Sequence, residues 1–370
     1  MRAKMFLAYL AVLVFLAQTA TAAARVFGDS NVDTGWYKIP PFSGDAVFDG
    51  FLADPTVDVG KPTNNPGPMS VEVLTALLHT TAIPANQGGT NFATSGAKNF
   101  NKNDNGFTKA VPTWTQLQNY RYPSVLGSNR AACRPGGSIF CGRPRPGPND
   151  IFLINPGGND VGFAVNNLSE PDRTNHLELQ ARLLAQAVSF LPPFGARQII
   201  VANQQEGSGP NQDVKTARHN YNVALKSALA HYMKGAVYAW ADINSVREDI
   251  KADQAARGTK FNINHILVDN HIACVKPTVN ITTAWALICP TNPPGSPLNT
   301  ADAQQTLFAD DQHWASGAQR VLGSYYYCLI QTTWPQLAPQ TIQLPHEPKV
   351  PPIPCDAFSA IPHPKPPPLR

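Results

Sequence analysis

Three side chains in this sequence have the types and spacing to attack an acyl carbon. Ser30 closes the block Phe27-Gly-Asp-Ser30, and the late block Asp310-Asp-Gln-His313 sets a carboxylate three residues before a histidine. A serine hydroxyl is a poor nucleophile at neutral pH and needs a neighbouring base. His313 can take its proton and later return it to the leaving group. Asp310 can hold the imidazole in the useful tautomer and stabilise the imidazolium. In a turn that leads into a helix, residues three apart lie on one side and neighbours point apart. That geometry agrees with Asp310 as the partner of His313, with Asp311 turned toward solvent or the following helix. Attack on a carbonyl also creates an oxyanion, which needs donors placed in advance.

These residues need a scaffold, and the hydrophobic pattern supplies one. Short segments at Arg25–Gly28, Thr90–Ala93, Asp150–Asn155, Arg197–Ala202 and Ala236–Ala241 read as five strands, the third a continuous apolar run. Helical spacing marks Val71–Leu78, His176–Phe190, Val214–Met233 and Trp314–Tyr327. Strands alternating with helices predict an α/β domain around a central, mostly parallel sheet. In such sheets ligands lie beyond the carboxyl ends of the strands. Ser30 follows the first strand. Two further polar blocks, Asn91-Phe-Ala-Thr-Ser-Gly96 and Gly157-Gly-Asn159-Asp160, also sit at strand ends, whereas Asp310 and His313 precede the last helix.

Taken singly, each block has a plainer structural reading. Ser30 suits a helix cap, and Gly96 and Asn159-Asp160 suit turns. Taken together and in order, the four blocks resemble the GDSL/SGNH family of esterases and lipases, from about Arg25 to Ile330. Asp33 and Gly35 after the serine resemble the family's longer first block. Asn222-Val-Ala-Leu225 looks like an Asn-x-x-Leu helix found in many members. The resemblance implies a three-layer α/β/α sandwich, flavodoxin-like, with a five-stranded sheet. It implies a catalytic triad of Ser30, Asp310 and His313. It implies an oxyanion hole formed by the backbone N–H groups of Ser30 and Gly96 and the side-chain amide of Asn159. A glycine at 96 lets the backbone approach the substrate closely. The family reaction needs no cofactor, and no His-Glu-x-x-His or similar metal spacing occurs. The sequence departs from the family at Asn31, in place of leucine, and at Trp314, where many members have proline.

The remaining features concern location. Arg2 and Lys4, an apolar run from Met5 to Ala17 and small residues at Ala20-Thr21-Ala22 read as a signal peptide over residues 1–22. The run is short for a bilayer span, which takes about 20 residues. The expected domain is then 23–334, and the protein is expected to be secreted or periplasmic. Residues 335–370 hold 12 prolines and read as an extended tail, because proline removes backbone donors and breaks helices. Six cysteines in an exported chain suggest disulfides. Sequence proximity favours Cys133–Cys141, Cys274–Cys289 and Cys328–Cys355, and the last pair would pin the tail. Asn167-Leu-Ser and Asn280-Ile-Thr match the glycosylation pattern.

Charged residues are only 15% of the chain and no basic run occurs, which argues against a nucleic-acid partner. The partner implied by the resemblance is an ester: a small molecule, a lipid or an acylated sugar. An α/β-hydrolase lipase would need a Gly-x-Ser-x-Gly elbow, and none occurs. A carbohydrate O-acetyl esterase or an inactive binding protein on the same scaffold are the other readings. Complete retention of Ser30, Gly96, Asn159, Asp310 and His313 argues against the last. Specificity is expected from loops at roughly 31–68, 97–110, 161–173 and 246–309. Trp36 and Tyr37 in the first of these read either as loop packing or as a platform for a ring or acyl chain. The arginines at 130, 134, 143 and 145 are expected on the face opposite the site.

Overall fold

The computed structural model describes residues 23–39, 49, 61–63, 67–103, 107–121, 146–206, 211–264, 305–310, 312–337 and 352–361. Among them four strands form one parallel sheet in the order β1 (Ala24–Gly28), β2 (Ile151–Asn155), β3 (Gln198–Ala202) and β4 (Tyr238–Ala241). Val26 pairs with Leu153, Leu153 with Ile200, and Ile200 with Ala239. A parallel strand covered on both faces needs apolar residues on both, which is why Ile-Phe-Leu-Ile is a continuous run.

Alternate residues feed two separate cores. Val26, Leu153, Ile200 and Ala239 pack under α1 (Ser70–Leu77), α6 (Ile243–Ala255) and α7 (Ser316–Thr333). Phe27, Phe152, Ile199 and Trp240 pack under α2 (Thr113–Arg121), α3 (Gly158–Asn167), α4 (Asp172–Ser189) and α5 (Gln212–Tyr232). The result is a helix–sheet–helix sandwich.

The five-strand expectation is corrected to four. Thr90–Ala93 runs along the open edge of β1 but makes a single parallel bridge to it, Val26 with Asn91. Val26 N donates to Thr90 O at 3.1 Å, and Phe92 N donates to Val26 O at 2.8 Å. The ladder is interrupted where Gly28 N, the donor that would meet Phe92 O, bonds Gln116 Oε1 at 2.8 Å instead, although Thr94 N still donates to Gly28 O at 3.1 Å. Phe92 nevertheless stacks on Phe27 with centroids 5.2 Å apart, which ties this segment to the core.

Helices α2, α3 and α6 were not expected from the sequence. The region 161–173, expected as a loop, is mostly helix, as is 246–255. The last helix starts at Ser316, two residues later than expected, and runs on to Thr333. Its residues from Ser316 to Ile330 are all buried. Part of the proline-rich segment supplies that cover. Ile353, Phe358 and Ile361 are buried in the same core, and Phe358 lies against Phe261 and Tyr325. Complete burial stabilises such a side chain by about 1.5–3 kcal/mol. Residues 352–361 are therefore docked structure, with a tight turn at Cys355–Phe358, and not an extended tail. The Cys328–Cys355 disulfide fastens them to α7. The other four cysteines, Asn280 and the arginine-rich stretch lie outside the described residues. No helix among the described residues is long and apolar enough to cross a membrane.

Candidate active site

Ser30 projects from the turn that ends β1. Gly28 fits there because a Cβ would stand 2.4 Å from the carbonyl oxygen of Asn155 on β2. From α2, Gln116 grips the same glycine, accepting from its N–H and donating to its carbonyl, both at 2.8 Å. Asp29, fully buried, shapes the next turn. Its Oδ1 accepts from Asn31 N at 3.0 Å and Asn31 Nδ2 at 2.8 Å, and its Oδ2 accepts from Gly158 N at 3.0 Å. Asn31, the departure from the leucine of the motif, is thus a hydrogen-bond partner for this carboxylate. Burial raises the pKa of Asp29, opposed by the N–H donors of Asn31 and Gly158 and by the charge of His313.

His313 arrives on a hairpin that leads into α7. Ala309 N donates to His313 O at 2.8 Å, Ala315 N to Leu307 O at 3.0 Å, and Phe308 pairs with Trp314 in an antiparallel bridge. At the tip, Asp310 Oδ1 accepts from Gln312 N at 2.8 Å and His313 N at 2.7 Å. This bends Asp310 back under the imidazole, with Oδ2 2.7 Å from Nδ1. His313 Nε2 lies 2.8 Å from Ser30 Oγ. With Asp310 ionised, Nδ1–H donates to it and Nε2 accepts from the serine hydroxyl. The imidazole pKa is the net of opposing effects. Burial lowers it, while the charge and hydrogen bond of Asp310, with Asp29 behind, raise it further, so the balance is upward. Asp311 lies outside the described residues.

Gly96 and Asn159 lie side by side on two linked segments. Gly96 has φ +81°, and a Cβ there would stand 2.4 Å from the Cβ of Phe107. Asn103 Nδ2 fixes its peptide by donating to Gly96 O at 2.7 Å. Asn159 stands in the first turn of α3 and donates one N–H to Ala97 O at 3.1 Å. An amide has two such hydrogens, and the second makes no bond among the described residues. Asp33 ties this segment to the serine turn. It accepts from Gly35 N and Trp36 N on one oxygen, and from Ser95 N and Oγ on the other, at 2.7–2.9 Å.

Asp160 is buried beside Asn159 and accepts from Asn99 N at 2.8 Å. Burial, the largest effect, pushes its pKa up to about 7. Trp36 and Tyr37 are packing residues: both are buried, and the Tyr37 hydroxyl donates to Ser95 O at 2.8 Å. His219 pairs with Glu206 on the surface. Asp29, Gln116 and Gln205 were not singled out in the sequence. Asp29 lies inside the first block, which is a usable signal. Gln116 and Gln205 carry none, because their partners are distant in sequence.

An open parallel sheet with this serine at its carboxyl edge, flanked by helices, is the fold of the GDSL/SGNH hydrolases. The family model described as GDSL-like Lipase/Acylhydrolase matches residues 26–325, and the chain belongs to that family. It is accordingly a hydrolase acting on ester bonds. No curated protein matches the chain.

Proposed function

We propose that the protein is a secreted serine esterase that cleaves carboxylic esters through an acyl-enzyme on Ser30. The observation that carries this reading is the unbroken hydrogen-bonded chain Asp310–His313–Ser30, with links of 2.7 and 2.8 Å. Ser30 Oγ attacks the ester carbonyl carbon as its proton passes to His313 Nε2. The oxyanion is held by the N–H groups of Ser30 and Gly96 and the Nδ2 of Asn159. Collapse breaks the bond to the alkoxy oxygen, which takes the proton from His313 and leaves as the alcohol. A water then delivers its proton to His313 and its oxygen to the acyl carbon, releasing the acid and restoring Ser30.

The substrate class on this reading is a small-molecule, lipid or acylated-sugar ester. Export is supported by the amino-terminal pattern of Arg2, Lys4 and the adjoining apolar run, and by the Cys328–Cys355 disulfide. Such a bond belongs to oxidising compartments. The test is hydrolysis of nitrophenyl esters, phospholipids and acetylated sugars by wild type, Ser30→Ala and His313→Ala. Hydrolysis by the wild type that disappears in both folded variants supports the reading. Undiminished hydrolysis in either one refutes it.

A further inference from the structure

We propose that Gln205 is a positioning residue for His313, acting on the two chain neighbours of the histidine. The inference rests on the reading of His313 as the base. Gln205 is buried just beyond the carboxyl end of β3. Its Nε2 donates to the carbonyl of Gln312 at 2.6 Å, and its Oε1 accepts from the indole Nε1 of Trp314. One amide therefore grips the residue before the histidine and the residue after it.

The grip is anchored at both ends. From α5, Asn222 accepts from Gln204 N at 2.8 Å and donates to Gln204 O at 2.7 Å. Arg218, on the same helix, donates to Gln205 O at 3.2 Å. On the hairpin side, Trp314 is buried and its carbonyl accepts from Thr63 Oγ1 at 3.0 Å. These bonds matter because the ring's own contacts change during the reaction. Once Ser30 is acylated its oxygen has no proton to donate, and among the described residues the ring keeps its bond to Asp310 alone. Holding residues 312 and 314 fixes the backbone of His313 while the deacylating water is activated. An offset of about 1 Å at such a group can cost roughly 10²-fold in rate.

The experiment compares Gln205→Ala, Trp314→Phe and the double variant, with His313→Ala as control. Gln205→Ala is expected to lower kcat by roughly 10–100-fold with KM within about twofold of wild type. The acid limb of kcat/KM should move to lower pH, because a loosened ring loses part of the Asp310 interaction that raises its pKa. Trp314→Phe removes the indole N–H along with part of the ring volume and should cost about 3–10-fold. In the Gln205→Ala background it should add less than about twofold, since its partner is already gone. If Gln205→Ala does not fold, Gln205→Glu keeps the acceptor for Trp314 and loses the donor to Gln312, and a fall in its kcat supports the inference. Wild-type kcat in the folded Gln205 variant, or an undiminished Trp314→Phe loss beside an unmoved acid limb, overturns it. An active His313→Ala enzyme would instead overturn the underlying site reading.

Discussion

Replacing Asp310 by asparagine preserves shape and removes charge, and the hairpin sets the consequence for His313. Two backbone N–H groups, from Gln312 and His313, converge on Oδ1 at 2.8 and 2.7 Å. In Asp310→Asn the amide oxygen stays where those donors converge. Its NH₂ group then takes the place of Oδ2, 2.7 Å from His313 Nδ1. A donor now faces a donor, so the imidazole shifts its proton from Nδ1 to Nε2. The nitrogen facing Ser30 can no longer accept the hydroxyl proton. A misplaced tautomer costs up to ~10⁴ in turnover in a serine triad, which is about 5 kcal/mol of barrier. The expected loss is at least about tenfold. A second signature is the pH profile. The base works when neutral, and Asp310 helps hold its pKa above 6.5. The acid limb of kcat/KM therefore lies above that value in wild type and falls in the variant. The assay is steady-state hydrolysis of a nitrophenyl ester from acid to neutral pH. A loss under about tenfold with an unmoved limb refutes the reasoning. So does the reverse pattern, in which Asp311→Asn is crippled and Asp310→Asn is near normal.

Asn159→Ala should lower kcat by roughly 10²–10³-fold with little change in KM, as for loss of one oxyanion donor; near-normal turnover would remove Asn159 from the site. Asp160→Asn tests a buried charge by thermal melting against pH. The folded-state pKa is raised from 3.8 to about 7, so the stability this group contributes is full below pH 3.8 and is lost as pH rises through 7. That loss is up to roughly 4 kcal/mol in wild type and absent in the variant, so the variant should gain on wild type between acid and neutral pH. Parallel melting curves would contradict it. Replacing both Cys328 and Cys355 by serine opens a loop spanning 27 positions and should cost about 3.5 kcal/mol in the chain-entropy account. Denaturant titration would measure it, and an unchanged midpoint would mean that packing of Ile353 and Phe358 alone holds the segment.

The parallel strands were legible because strands buried on both faces carry continuous apolar runs, as in Ile151-Phe-Leu-Ile154 and Ile199-Ile-Val-Ala202. Thr90–Ala93 pairs with β1 only briefly because Gly28 N is taken by Gln116 from α2, a partner 88 positions away that sequence periodicity cannot register. Helix α3 escapes a sequence reading because its first turn is the polar block Gly158-Asn-Asp, which reads as a turn until Gly158 N is seen capped by Asp29. The chemical blocks were legible because each is local. Gln205 was not, since its bond to Gln312 spans 107 positions and a lone glutamine has no pattern. Asn222 stands out as part of a helix motif, but its work on the backbone of Gln204 appears only in three dimensions.

The central claim is that Ser30 forms the covalent intermediate, and a fluorophosphonate followed by intact-mass and peptide analysis tests it most directly. The account predicts one adduct per chain, located on Ser30, absent from Ser30→Ala and much slower to form in His313→Ala. An adduct on another residue, or an enzyme that hydrolyses esters while resisting the reagent, would contradict it.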